Sequence, residues 1–304
     1  MKIGTVEIPN RFALAPLAGI SCTAFRMLCK ENGAGLIYTQ MIDAELISTK
    51  TREEVKQFLN IQDMERPVTV QLIGSEKNVL IKAVHVVEEF ADIIDLNVGC
   101  IEDDYLPKGC GAALLKDLPK LETILRAMVD ATSKPVTAKI RIGWDNQHIN
   151  GVAVSQLVEN AGAAAICVHG RTADQGYAGK VNWTIMKQIK QKIHIPVIAN
   201  GDVTSYTDGL MMLQKTGADL VMIGRAAQHC PWVFNENPVD VKQQIMRFIE
   251  LYETYEQRQS AVEVADHAFW MLRDFKTNED TKKIHVITTI PRIKRYVNRL
   301  SQEE

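Results

Sequence analysis

A (β/α)8 barrel followed by a small all-helical tail is the architecture this sequence predicts. Three observations carry it. About eight short apolar runs are spaced through the first 230 or so residues, a helix-spaced segment separates successive runs, and no strand-like run remains after about Pro238. Eight β–α units of this length, joined by right-handed crossovers, close into a barrel of the usual size.

The strands are expected at 12–15, 36–38, 68–72, 93–96, 136–140, 165–168, 197–199 and 220–223. Most are continuous apolar runs, as in parallel strands buried on both faces. Helical spacing covers 79–90, 118–131, 152–161, 183–192 and 206–216, and Gly162 and Gly217 follow two of these where a left-handed C-cap is needed. The tail reads as helices over 239–257, 261–275 and 280–300, the last with a break at Ile290-Pro291, where the ring removes a donor. This divides the chain into a barrel, residues 1–234, and a helical domain, residues 235–304.

Composition excludes several classes. The 304 residues are 46% hydrophobic and 24% charged, ordinary for a globular protein. No apolar run approaches the roughly 18 residues of a membrane span. The start, Met1-Lys2-Ile3-Gly4, has no apolar signal core, so a cytoplasmic location is expected. Six cysteines without a Cys-x-x-Cys pair indicate reduced thiols and no metal site, with Cys22 and Cys29 read as packing. Lys and Arg (35) nearly balance Asp and Glu (37), so a nucleic-acid role needs a local patch. One exists: residues 236–280 hold 10 acidic and 5 basic residues, whereas 281–300 hold Lys282, Lys283, Arg292, Lys294, Arg295 and Arg299 with no acid. That stretch reads either as a solvated face or as a phosphate-contacting stripe.

In a barrel, chemistry gathers where the strands end. Reading past each apolar run gives Pro16-Leu17-Ala18, Gln71, Asn97-Val98-Gly99-Cys100, Lys139-Ile140-Arg141, His169-Gly170-Arg171, Asn200-Gly201-Asp202 and Gly224-Arg225. So many polar groups at one rim are costly unless a ligand or one another satisfies them. The glycines and Arg225 after the last two strands match the usual barrel phosphate site. Flavin mononucleotide (FMN) fits this layout, with Lys139 beside the ring edge that gains negative charge on reduction and Gln71 bonding its pyrimidine side. No Gly-x-Gly-x-x-Gly follows a strand, so a Rossmann site is not indicated. Cys100 is placed to act as a general acid or nucleophile. Cys110, between Gly109 and Gly111 in the next loop, is the lesser candidate.

The ordered set "NRFALAPLAGI", "VQLIGSE", "IIDLNVGC", "GCGAALLKD", "AKIRIGW", "VHGRT", "IPVIANGDV" and "MIGRAAQHCPWVF" resembles the tRNA-dihydrouridine synthases, strongly over about 1–234 and weakly in the tail. The resemblance implies an FMN enzyme that uses NADPH or NADH to reduce uridine in tRNA to 5,6-dihydrouridine. Hydride passes from the reduced flavin to C6, and Cys100 gives a proton to C5. It implies FMN contacts at Pro16, Leu17, Ala18, Gln71, Lys139, His169, Asn200, Gly201, Asp202, Gly224 and Arg225. Asn97, Arg141 and Arg171 are implied to face the uridine, and Lys282, Lys283, Arg292, Lys294 and Arg295 the RNA. A monomer is expected. Where the family has Gly-Cys-Pro, this chain has Gly99-Cys100-Ile101, then Glu102-Asp103-Asp104, acids that repel phosphate and push a thiol's pKa up. Two readings compete: an FMN barrel reductase for another RNA or a small pyrimidine-like substrate, and a non-catalytic RNA-binding barrel.

Overall fold

The structure is a computed structural model that describes residues 1–273, 281 and 283–300. A short hairpin, β1 (Lys2–Ile3) and β2 (Val6–Glu7), precedes the barrel. The barrel strands are β3 (Phe12–Leu14), β4 (Ile37–Asp43), β5 (Val68–Ile73) and β6 (Ile93–Val98), followed by β7 (Val136–Arg141), β8 (Ala165–His169), β9 (Val197–Asn200) and β10 (Leu220–Ile223). All pair in parallel in the order β3-β10-β9-β8-β7-β6-β5-β4. A parallel bridge between Ala13 and Leu36 closes the ring, and the Leu14 N–H donates to the Leu36 carbonyl at 2.9 Å. The predicted barrel is therefore present, each of its eight strands overlapping one expected run.

The second run extends further than its apolar residues indicate. Strand β4 continues through Thr39 and Gln40 to Asp43, because a register shift between Tyr38 and Met41 lets it stay paired with β5. A bulge of this kind leaves no trace in an apolar-run reading.

Alternation along the strands decides what the barrel encloses. Ile94, Leu96 and Val98 face the helices, as do Val136, Ala138 and Ile140 and Val197 and Ala199, all in the main core. The opposite residues face inward. Tyr38, Ile93, Ala165, Cys167, Ile198, Leu220 and Met222 form a separate core with Ile3 and Ile8 of the N-terminal hairpin. Above this layer the inward positions turn polar: Gln71 on β5, Asp95 and Asn97 on β6, Lys139 and Arg141 on β7, His169 on β8. Register places Asp95 opposite Gln71 and Thr137, and Asn97 opposite Lys139.

The outer layer includes α1 (Thr23–Glu31), α2 (Ala44–Ile47), α3 (Arg52–Leu59), α4 (Lys77–Val87), α5 (Leu118–Asp130), α6 (Gly151–Asn160), α7 (Trp183–Lys192) and α8 (Tyr206–Thr216). A five-residue helix, α9 (Arg225–His229), begins directly after β10 with Gly224 as its N-cap. In the tail, α10 (Val241–Tyr255) packs on α1, and α11 (Ala261–Met271) packs on α10. The stretch expected as helix over 280–300, with a break at Ile290-Pro291, holds among its described residues a 3-10 turn, Lys283–Val286, and α12 (Ile290–Arg299), which begins at that break. Pro291 stands in the first turn of α12, where its missing N–H costs nothing, so it starts a helix and does not kink one. Residues 274–275 and Lys282 lie outside the described residues. No described helix is long and apolar enough to cross a membrane.

Candidate active site

A cleft of about 860 Å³ opens at the C-terminal ends of the strands, within the range of small-ligand sites. It collects residues from distant parts of the sequence: Pro16, Leu17 and Ala18 after β3, Gln71, Asn97 and Cys100, Lys139 and Arg141, His169, and Asn200, Gly201, Asp202, Gly224 and Arg225. Every expected cofactor residue lines it, together with Cys100, Asn97 and Arg141. Arg171 does not. It is 2% exposed and grips Asp202 with two bonds of 2.8 and 2.6 Å, and it also donates to the carbonyls of Ala178 and Gly179.

The mouth carries a half-buried cation, Lys139. Among the described residues, Lys139 makes no side-chain hydrogen bond or ion pair, and burial lowers its pKa. Asp95, one of the acidic groups that act on it electrostatically, is fully buried, accepts from Thr137 Oγ1 at 2.5 Å and Gln71 Nε2 at 2.7 Å, and has its pKa pushed up to about 6 by burial. His169 is held neutral, its pKa lowered to about 2 by burial and then by Lys139, Arg141, Arg171 and Arg225.

Two strands further round, after β9, Gly201 has φ +133°, and a Cβ there would meet the Val181 side chain at 2.7 Å and His169 at 3.2 Å, so glycine is required. Asp202 accepts from Arg225 at 2.8 Å while Arg171 holds it from behind. With the first N–H groups of α9, this corner presents donors and one guanidinium to an anion. A mouth that holds both a half-buried, unpaired ammonium and an anion-binding corner fits a phosphate-bearing cofactor whose ring acquires negative charge.

The turn that carries Cys100 is held from two directions. Asn97 Oδ1 accepts from the N–H groups of Gly99 and Cys100 at 3.0 and 2.8 Å. Arg141 reaches the Gly99 carbonyl at 2.9 Å and ties it to the carbonyls of Thr172 and Gly176. The Cys100 carbonyl accepts from Ala112, an approach that only glycine at 111 permits, since a Cβ there would lie 2.6 Å from that carbonyl. Burial raises the pKa of the half-buried Cys100 thiol, opposed by a hydrogen bond with the Glu102 backbone and reinforced by the Glu102 carboxylate. Glu102 reaches the cleft, but Asp103 and Asp104 point to solvent outside it. Cys110 is buried away from the cleft with its Sγ 3.8 Å from the Lys108 carbonyl.

Sequence reasoning assigned no role to Asp95 or Tyr177. Asp95 was detectable in principle as the inward-facing residue two before Asn97. Tyr177 is 58% exposed at the cleft rim, with its ring over Arg225 at 4.9 Å and Arg141 at 5.6 Å, and nothing in its local sequence marks it.

Elsewhere, Cys22 is not simply packing. Unlike the buried Cys29, it caps α1 at the junction with the tail, its Sγ 3.8 Å from Nε2 of the buried His267, with Glu263 beside them. Glu263 accepts from Tyr252 at 2.6 Å, and burial keeps His267 neutral with its pKa near 3. On α12, Ile290, Ile293 and Val297 are buried, while Arg292, Arg295 and Arg299 share the exposed face. Lys294 is paired with Glu253 of α10 at 2.5 Å, so the acid-free stretch of sequence is not acid-free in space.

Comparison with known proteins agrees with the geometry. The family model described as dihydrouridine synthase matches residues 13–289. The chain is 40% identical over 237 residues to tRNA-dihydrouridine synthase B of Xanthomonas axonopodis pv. citri, covering 78% of this chain and 71% of that protein. It is 35% identical over 288 residues to tRNA-dihydrouridine synthase B of Shewanella oneidensis, covering 90% and 89%. Among solved structures, the old yellow enzyme homologue of Zymomonas mobilis aligns with a TM-score of 0.60 at 12% identity, over 85% of this chain and 98% of that one, a likeness of fold alone. The chain belongs to the dihydrouridine synthase family of enzymes.

Proposed function

We propose that this enzyme reduces a uridine of tRNA to 5,6-dihydrouridine, with FMN in the cleft and NADPH or NADH as reductant, as a monomer in the cytoplasm. The observation that carries the reading is the half-buried Cys100, its backbone fixed by Asn97, at the same mouth as the unpartnered Lys139. The name shared by the relatives supports the same reaction.

When bound, FMN supplies the hydride chemistry, from the nicotinamide to C6 of the base. Gly201, Gly224 and Arg225 hold its phosphate, with Asp202 fixing Arg225 and Arg171 fixing Asp202. Pro16, Leu17 and Ala18 flank the ring, and Gln71, Lys139, His169 and Asn200 meet its polar atoms. The Lys139 ammonium favours the negatively charged reduced state electrostatically. Asn97 and Arg141 orient the uracil, which leaves its stack to enter the mouth at a cost of a few kcal/mol. Cys100 Sγ gives its proton to C5, and its raised pKa keeps that proton in place at neutral pH. Residues 1–234 form the catalytic unit and 235–304 contact the RNA, through Lys282, Lys283, Arg292 and Arg295, with Lys294 partly neutralised.

Nucleoside mass spectrometry of tRNA from cells lacking the gene tests this. One or more dihydrouridines are expected to disappear and to return with the wild-type gene but not with Cys100→Ala. Unchanged dihydrouridine content overturns the reading.

A further inference from the structure

The hydrogen bonds inside the barrel have a fixed direction. Asp95 is 0% exposed and lies below the cleft without lining it. An ionised carboxylate only accepts, so Gln71 must turn its amide nitrogen inward, to Asp95 Oδ2 at 2.7 Å. Its Oε1 then faces Asn97, whose Nδ2 donates to it at 2.8 Å. Asn97 is thereby left with Oδ1 toward the chain, where the N–H groups of Gly99 and Cys100 donate to it at 3.0 and 2.8 Å. Thr137 Oγ1, donating to the other carboxylate oxygen at 2.5 Å, stops Asp95 from rotating. Reversing either amide would set two acceptors or two donors face to face, which in a buried site costs roughly 1–3 kcal/mol per orphaned group.

Building on the functional reading above, we propose that Asp95 is a positioning residue: it sets the amide faces of Gln71 and Asn97 and thereby holds the turn that aims the Cys100 thiol. Asp95 touches neither cofactor nor base. It acts at two removes. Gln71 keeps one uncommitted N–H for an acceptor on the ligand, and Asn97 keeps its carbonyl on the Cys100 turn.

Amide hydrogen exchange on the cofactor-free full chain, read by mass spectrometry, tests this without needing RNA or turnover. In Asp95→Ala, exchange at Gly99 and Cys100 is expected to rise about tenfold, the effect of losing one hydrogen bond's worth of local stability. Asp95→Asn, which still offers an oxygen to Gln71, is expected to restore near wild-type protection. Unchanged protection at Gly99 and Cys100 in Asp95→Ala overturns the proposal. So does equal acceleration in Asp95→Asn, or acceleration spread evenly over the barrel strands. Should Asp95→Ala not fold, Gln71→Met cuts the same relay at its next link and must give the same local rise; no rise overturns the proposal. Failure of the uridine-reduction reading appears separately, in the dihydrouridine content of tRNA.

Discussion

The Asp202 carboxylate accepts from Arg225 at 2.8 Å while Arg171 grips both of its oxygens from the protein interior. A buried guanidinium thus aims an exposed one: Arg171 is 3% exposed in its side chain and Arg225 54%. The acid beside the proposed phosphate corner does not oppose an anion on its own, because two cations share it.

Arg225→Ala is expected to weaken FMN binding by about 1.5–3 kcal/mol, the range for a hydrogen bond to a charged group. Asp202→Asn loosens Arg225 and also leaves the buried Arg171 guanidinium without its carboxylate, so it is expected to weaken FMN binding and to lower the stability of the folded protein as well. Quenching of FMN fluorescence on titration with protein measures both. Equal affinities for wild type and Arg225→Ala place the phosphate elsewhere.

Cys100→Ala is expected to slow oxidation of the reduced flavin by tRNA about 10²–10⁴-fold, the usual contribution of a positioned general acid. Flavin reduction by NADPH is expected to remain near wild type. Cys110 is buried outside the cleft, so Cys110→Ala is expected to be near neutral in both half-reactions. Single-turnover stopped-flow on the two variants decides between the thiols, and a slow flavin oxidation in Cys110→Ala alone reverses the assignment.

Reversing Arg292 and Arg295 to Glu is expected to weaken tRNA binding and flatten its salt dependence, because fewer counterions are released. Lys294→Glu is expected to weaken RNA binding less, since Glu253 already neutralises Lys294. Filter binding across a salt series measures each slope. A slope unchanged by Arg292→Glu/Arg295→Glu identifies that face of α12 as merely solvated.

The cofactor-free protein is expected to lose stability as the pH falls below about 6.5. His169 and His267 stay neutral when folded, with pKa values near 2 and 3, so only the unfolded chain takes up their protons. Asp95 works the other way: its folded value near 6 lies above its ordinary 3.8, so between those values the folded state holds one extra proton. Two protons against one leave a net loss of about 1.4 kcal/mol per pH unit from these three groups in that window. Denaturant midpoints from pH 7 to 4.5 check it, and His267→Phe is expected to shallow the slope.

The sequence by itself determined the eight strands, their parallel order in a barrel, and the rim residues that face one cleft. The reason is physical. Apolar runs and helical spacing are local signals, and parallel β–α units admit few topologies. A rim position in such a fold is polar only if something satisfies it. What the sequence could not carry were pairings between distant residues. That Arg171 serves Asp202 and not the cleft, that Lys294 meets Glu253, and that Cys22 meets His267 depend on side chains 31, 41 and 245 positions apart. That β4 runs on to Asp43 depends on a bulge against β5. Asp95 belongs to the same class. Its place below Gln71 and Asn97 is set by the register of β5, β6 and β7, which only the pairing of those three strands in the sheet brings to a common level.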